Sequence, residues 1–294
     1  MSRRFGLSVA LATAVEDGGK IALEAMIVQA RRCLDAGCSS VTLFGTTGEG
    51  CSVGTQERER VLAAFLEAGI AADQIVVGVL VDAAEDAAAQ AGHALERGAC
   101  NILLAPPSYF KNVTDEGLFK WFSAVFTLLG TRARDIIVYN IPSVTMVPLS
   151  VSLIGRLRST FPEIVVGVKD SSGDWPYTES LLGAHGDLII LIGDERHLAR
   201  GVRLGGQGAI SGVANFLPLE VRAMAEEGHD DGRIEDFVGE LLNYPVTPAV
   251  KVMIARMTGD DVWLAVRPPL VPISGEGCEK LAAAFDALFR AKAA

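Results

Sequence analysis

Eight short runs of aliphatic and β-branched residues recur along this chain, each followed by a longer stretch with helical apolar spacing. The runs fall at 7–11, 40–44, 75–80, 101–105, 136–140, 164–169, 188–192 and 209–212. The helical stretches occupy 23–36, 57–68, 83–97, 115–129, 150–159, 178–184, 198–204 and 219–227. Strands and helices in such regular alternation fit a parallel sheet with right-handed crossovers. Runs this uniformly apolar suit strands covered on both faces. An open doubly wound sheet would carry G-x-G-x-x-G after its first strand, and the segment Ala12-Thr-Ala-Val-Glu-Asp-Gly-Gly19 lacks that spacing. The expected fold is therefore α/β, a (β/α)8 TIM barrel over residues 1–232. Further helical stretches at 234–243, 249–257 and 278–293 predict a C-terminal helical extension, 233–294, packed on the barrel. No linker-like composition sets it apart as a second domain.

Charge and composition narrow the partners. A net charge of −10 disfavours nucleic acid, whose binders need a basic face. No apolar stretch reaches the roughly 18 residues of a membrane span. The positively charged start, Met1-Ser-Arg-Arg-Phe-Gly6, reads as the approach to a first strand rather than a signal peptide. Five cysteines and four histidines are scattered without zinc-ligand spacing. The chain is expected to be cytoplasmic, reduced and free of metal.

In a barrel of this kind the chemistry sits at the C-terminal ends of the strands. Those ends supply Gly45-Thr-Thr-Gly-Glu-Gly50, Ala105-Pro-Pro-Ser-Tyr109, Tyr139-Asn-Ile-Pro142, Lys169-Asp170, Gly193-Asp-Glu195 and Gly208-Ala-Ile-Ser-Gly212. Burial of the Lys169 ammonium favours its neutral amine, and a neutral amine attacks carbonyls. A lysine that snorkels to solvent is the alternative. Gly45 and Gly48 permit a sharp turn, while Thr46 and Thr47 add hydroxyls beside backbone N–H groups, a cradle for a small carboxylate. The same loop also serves as a plain strand-to-helix turn. Tyr139 is either a core tyrosine or a proton shuttle beside Lys169. A chain from Tyr139 through Thr46 to Tyr109 would lead its proton to solvent. Tyr109 could equally fill an interface. Asp194 and Glu195 either cap the following helix or bind sugar hydroxyls.

Gly45-Thr-Thr-Gly-Glu49, Tyr139-Asn-Ile-Pro142 and Gly167-Val-Lys169, in this order and spacing, resemble the dihydrodipicolinate synthase and N-acetylneuraminate lyase superfamily. Its members are pyruvate-linked class I aldolases, and the resemblance covers nearly the whole chain. It implies Lys169 as the Schiff-base residue and Tyr139 as the proton shuttle. It also implies that Thr47 holds the keto acid carboxylate and that Thr46 links Tyr139 to a Tyr109 donated by a neighbouring subunit. Gly48, Ile210, Ser171, Asp194 and Glu195 complete the candidate substrate-binding set. The usual assembly is a homotetramer of two tight dimers, and no cofactor is needed because the lysine is itself the electron sink.

Departures from the family pattern point to a subfamily. Dihydrodipicolinate synthases carry an arginine two residues beyond the Tyr-Asn-x-Pro motif, where this chain has Val144, and a valine cannot bind a carboxylate bidentately. Asp194, Glu195 and Ser171 match hydroxyl-binding positions of sialate lyases, but Gly212 replaces a further serine. At the family's lysine-inhibition site the chain has Gly50, Thr55, Arg58 and Ser108, a set that disfavours a cationic effector. The expected activity is a Schiff-base lyase, aldolase or dehydratase, acting on pyruvate or a hydroxylated 2-keto acid such as a 2-keto-3-deoxy sugar acid. Dihydrodipicolinate synthesis is the alternative enzyme, and a catalytically idle keto-acid-binding barrel is the alternative outside catalysis.

Overall fold

The computed structural model describes residues 4–16 and 18–290. Eight parallel strands close into a barrel in sequence order. They are β1 (Gly6–Ala10), β2 (Ser40–Leu43), β3 (Ile75–Val79), β4 (Asn101–Leu104), β5 (Ile136–Asn140), β6 (Val165–Asp170), β7 (Ile189–Ile192) and β8 (Gly208–Ser211). Around them run α1 (Leu23–Asp35), α2 (Thr55–Glu67), α3 (Ala84–Glu96), α4 (Asp115–Leu129), α5 (Pro142–Thr145), α6 (Val151–Thr160), α7 (Trp175–Ala184), α8 (Glu195–Arg203) and α9 (Pro218–Glu227). The (β/α)8 barrel read from the alternation is the observed fold. Strand period two sorts the side chains. Ile137 and Tyr139 of β5 and Leu191 of β7 fill the interior, while their neighbours Ile136, Val138, Ile190 and Ile192 pack under the helices.

Three differences from the sequence reading have local causes. The short helix α5 is extra; Pro142 occupies its first turn, where the missing N–H costs nothing. α7 begins at Trp175 rather than 178, with Pro176 tolerated in its first turn for the same reason. α8 begins at Glu195 rather than 198, because the Asp194 side chain accepts from the Arg196 N–H and caps it.

After β8 come α10 (Gly232–Leu241), α11 (Val246–Thr258) and α12 (Gly275–Phe289). The expected last stretch, 278–293, ends beyond the described residues. Phe216 and Phe237 pack edge-on, and Phe285 and Phe289 of α12 join them with centroids 5.4 Å (Phe237–Phe285) and 4.9 Å (Phe285–Phe289) apart. Residues 247–255 of α11 are all buried. That helix is wedged into the molecule at the mouth of the barrel, against the loop that follows β2.

Candidate active site

Register places the central pair. Tyr139 and Lys169 are directly paired across β5 and β6. On the other side, Gly167 lets β6 pack closely on β7, because a Cβ there would stand 2.5 Å from the Ile189 carbonyl. Lys169 is 6% exposed, and its Nζ lies 3.3 Å from the Tyr139 hydroxyl and 4.5 Å from the centre of that ring. The same hydroxyl lies 3.3 Å from Thr46 Oγ1. An amine, a phenol and a hydroxyl thus form a short relay in a cleft of about 290 Å³. No carboxylate forms an ion pair with Lys169 among the described residues.

The loop of Thr46 and Thr47 leaves β2 through Phe44 and ends at Glu49, both with positive φ (59° and 53°). Non-glycine residues there carry strain of about 1–3 kcal/mol each, which the surroundings must over-determine. They do. The Thr13 hydroxyl donates to the Gly48 carbonyl at 2.6 Å, and Thr247 of α11 donates to the Thr46 carbonyl at 3.1 Å. Glu49 accepts from Lys251 Nζ and from the Arg267 N–H, each at 2.6 Å, and the Glu49 and Lys251 side chains are wholly buried. Burial lowers the Lys251 pKa, and the Glu49 carboxylate opposes that shift. Arg58 is also internal. Its guanidinium donates to the carbonyls of Val53, Gly78 and Gly50 and lies 4.7 Å from the Phe44 ring centre, and burial brings its pKa down to about 10. Arg58 therefore braces the loop, and with Thr55 and His93 it lines a small second cavity.

Thr46, Thr47, Tyr139, Lys169, Ser171, Asp194, Glu195 and Ile210 all line the cleft. Two members of the expected set do not. Gly48 lies behind it, where a Cβ would stand 2.8 Å from the Leu11 carbonyl, so its part is to let the loop pack. Tyr109 lies outside it, 77% exposed and edge-on to Phe110, and makes no contact with Thr46 in this chain.

The two acidic residues are unlike each other. Both Asp194 oxygens are taken by the Arg196 guanidinium, at 3.0 and 2.7 Å, besides the helix-cap bond. Burial pushes the Asp194 pKa up, but Arg196 outweighs it, and the group sits below its ordinary value. Glu195 is buried and accepts from the Ser211 hydroxyl at 2.6 Å. Burial raises its pKa, with Ser211 and the charge of Lys169 opposing.

Sequence reasoning missed Glu49, Lys251, Thr247 and Ser211, and it missed the wall that Val238, Leu241, Leu242, Val246 and Val250 add to the cleft. The visible signal was Lys251 inside the apolar run Val250–Ile254, a charge that needs a buried partner.

The model of the dihydrodipicolinate synthetase family matches residues 4–288. The chain belongs to that family. A crystal structure of dihydrodipicolinate synthase from Agrobacterium tumefaciens is similar at 66% identity and a TM-score of 0.97, over 98% of this chain and 100% of that one. An uncharacterized DapA-like lyase of Chloroflexus aurantiacus is 31% identical over 95% of each chain. A 4-hydroxy-tetrahydrodipicolinate synthase of Thermus thermophilus is 31% identical over 90% of this chain and 89% of its own. As a member of the dihydrodipicolinate synthetase family, the protein is a lyase of the class I aldolase type. Among the described residues no helix is long and apolar enough to cross a membrane.

Proposed function

We propose that this lyase works through a Schiff base on Lys169, with pyruvate or a hydroxylated 2-keto acid as substrate. The observation that carries the reading is the Lys169 amine, buried at the end of β6, facing the cleft and 3.3 Å from a phenol. The amine adds to C2 of the keto acid, and loss of water gives an iminium. Tyr139, relayed by Thr46, moves the protons of that condensation. Thr47 and the backbone of its loop hold the carboxylate. The iminium then accepts the electron pair of the breaking C3–C4 bond as the C4 hydroxyl gives up its proton, an aldehyde leaves, and the enamine takes a proton at C3. Water releases pyruvate and restores the amine. Glu195 Oε2 and the Ser171 hydroxyl are the groups we assign to the C4 hydroxyl. In this reading residues 1–232 carry the chemistry and 233–294 pack on the barrel and close the cleft. Tyr109, turned outward, suits donation to a neighbour in a homotetramer built as a dimer of dimers.

The names of two relatives favour a second reading, 4-hydroxy-tetrahydrodipicolinate synthase. Val144 weighs against it, since this 59% exposed side chain lines the cleft where synthases of the family carry an arginine. A coupled pyruvate-release screen across 4-hydroxy-2-keto acids, run beside the synthase assay and borohydride trapping with pyruvate, separates the outcomes. Pyruvate release with a Lys169 adduct supports the proposal. Turnover only with pyruvate and aspartate semialdehyde supports the second reading, and an adduct without any turnover makes the barrel an idle binder.

A further inference from the structure

The cleft is far larger than pyruvate needs, and its walls differ in chemistry. The loops after β5, β6 and β7 contribute hydroxyls and charge, through Ser143, Ser171 and Ser172 and the residues around Asp194. The part after β8 and from α10 to α11 is aliphatic and includes Val213, Leu241, Leu242 and Val246. Leu242 and Val246 remain 45% and 39% exposed, and Val144, which follows β5, lines the same cleft at 59%. Three exposed aliphatic side chains at the mouth of one cleft are a cost in water unless something apolar covers them.

The polar wall is also poorer than its composition suggests. Asp194 has both oxygens bound to Arg196, and one oxygen of Glu195 is held by Ser211. A polyol brings several hydroxyls, each needing a partner once it leaves water. Here much of the acidic pair's accepting capacity is already used by Arg196 and Ser211, leaving Glu195 Oε2 as its one oxygen without such a bond, beside the serines.

We propose that the substrate, within the hydroxylated 2-keto acids, is one whose end beyond C4 is hydrocarbon: a 4-hydroxy-2-keto acid carrying an alkyl or aryl group. The C4 hydroxyl meets Glu195 and Ser171, and the tail lies against Leu242, Val246 and Val144. The leaving product is then an apolar aldehyde, formed with pyruvate by the redox-neutral cleavage described above. This inference rests on the Schiff-base reading of Lys169.

The test compares a matched six-carbon pair, 4-hydroxy-2-oxohexanoate and 4,5,6-trihydroxy-2-oxohexanoate, by kcat/KM for pyruvate release. The alkyl acid is expected to lead by at least about tenfold, and extension to 4-hydroxy-2-oxooctanoate to add about fourfold per buried methylene. Leu242→Asn and Val246→Ser, at partly exposed positions, should reduce the gain per methylene below about twofold, and this ratio does not depend on how much active protein each preparation holds. Equal or better turnover of the trihydroxy acid overturns the inference, as does a tail gain that survives both substitutions. Borohydride trapping with pyruvate keeps the two readings apart. An adduct together with polyol preference sinks this inference alone, whereas no adduct sinks it together with the Schiff base.

Discussion

Two lysines are buried near the mouth of this barrel, and their surroundings are opposite. Lys251, wholly covered, has a carboxylate at 2.6 Å that in turn holds a backbone N–H. Lys169, 6% exposed, has a phenol at 3.3 Å, an aromatic face at 4.5 Å and an open cleft in front. The Glu49 carboxylate offsets part of the burial cost that lowers the Lys251 pKa, and the buried pair suits Lys251 to holding parts together. Lys169 has no carboxylate bonded to it among the described residues, and its nitrogen lines the cleft, where a carbonyl carbon can reach it. Burial alone does not distinguish a structural lysine from a reactive one. The partner does.

Replacement of the two lysines should therefore separate function from stability. Lys169→Ala is expected to abolish the pyruvate–borohydride adduct and lower turnover more than about 10⁴-fold, the scale of losing a covalent nucleophile. Its unfolding midpoint should stay close to that of the parent, because no ion pair of Lys169 among the described residues is broken. A trapped adduct on another lysine would end the distinction. Tyr139→Phe keeps the packing and deletes the proton carrier, so turnover should fall by roughly two to four orders of magnitude with the fold intact. Activity within a factor of two would leave the tyrosine as packing alone.

Lys251→Met should behave the other way round. Deleting one partner strands the Glu49 carboxylate in the interior, at a cost of about 3–5 kcal/mol in denaturant unfolding. Adding Glu49→Gln should recover part of that loss, and a double variant no better than the single one would show that the charge pair is not what the site needs. The smallest effect concerns pH. The folded-state pKa of Glu195 is raised above its unfolded value. The native state therefore holds this proton longer, and the contribution of Glu195 to stability declines as pH rises from the ordinary glutamate range toward the folded pKa. Glu195→Gln should flatten that decline in a series of unfolding curves, and an unchanged slope would assign it to other groups.

Comparison of the lysines also shows what a linear reading can reach. Strand ends, turn glycines and the meeting of Tyr139 and Lys169 were legible because their signals are local: Val168 and Lys169 are neighbours, and Tyr139 closes its own apolar run. The eight strands were legible for the same reason. The inward packing of Gly48 and Arg58 was not legible because a loop's direction is set by what packs behind it, here Leu11, Phe44 and Gly78. Asp194 fitted both alternatives of the sequence reading, and only the Arg196 geometry shows that its oxygens are already occupied. Lys251 was conspicuous among Val250, Val252 and Met253, yet nothing near it in the chain named Glu49.

Glu49 and Lys251 lie 202 residues apart in the chain. On a ribosome adding about 5–20 residues per second, roughly 10–40 seconds separate the synthesis of the threonine loop from that of the lysine that pins it. Through that interval the loop has no anchor from α11. A polypeptide released before α11 emerges would contain Tyr139 and Lys169 in their strands, but Thr46 and Thr47 on a loop without its clasp.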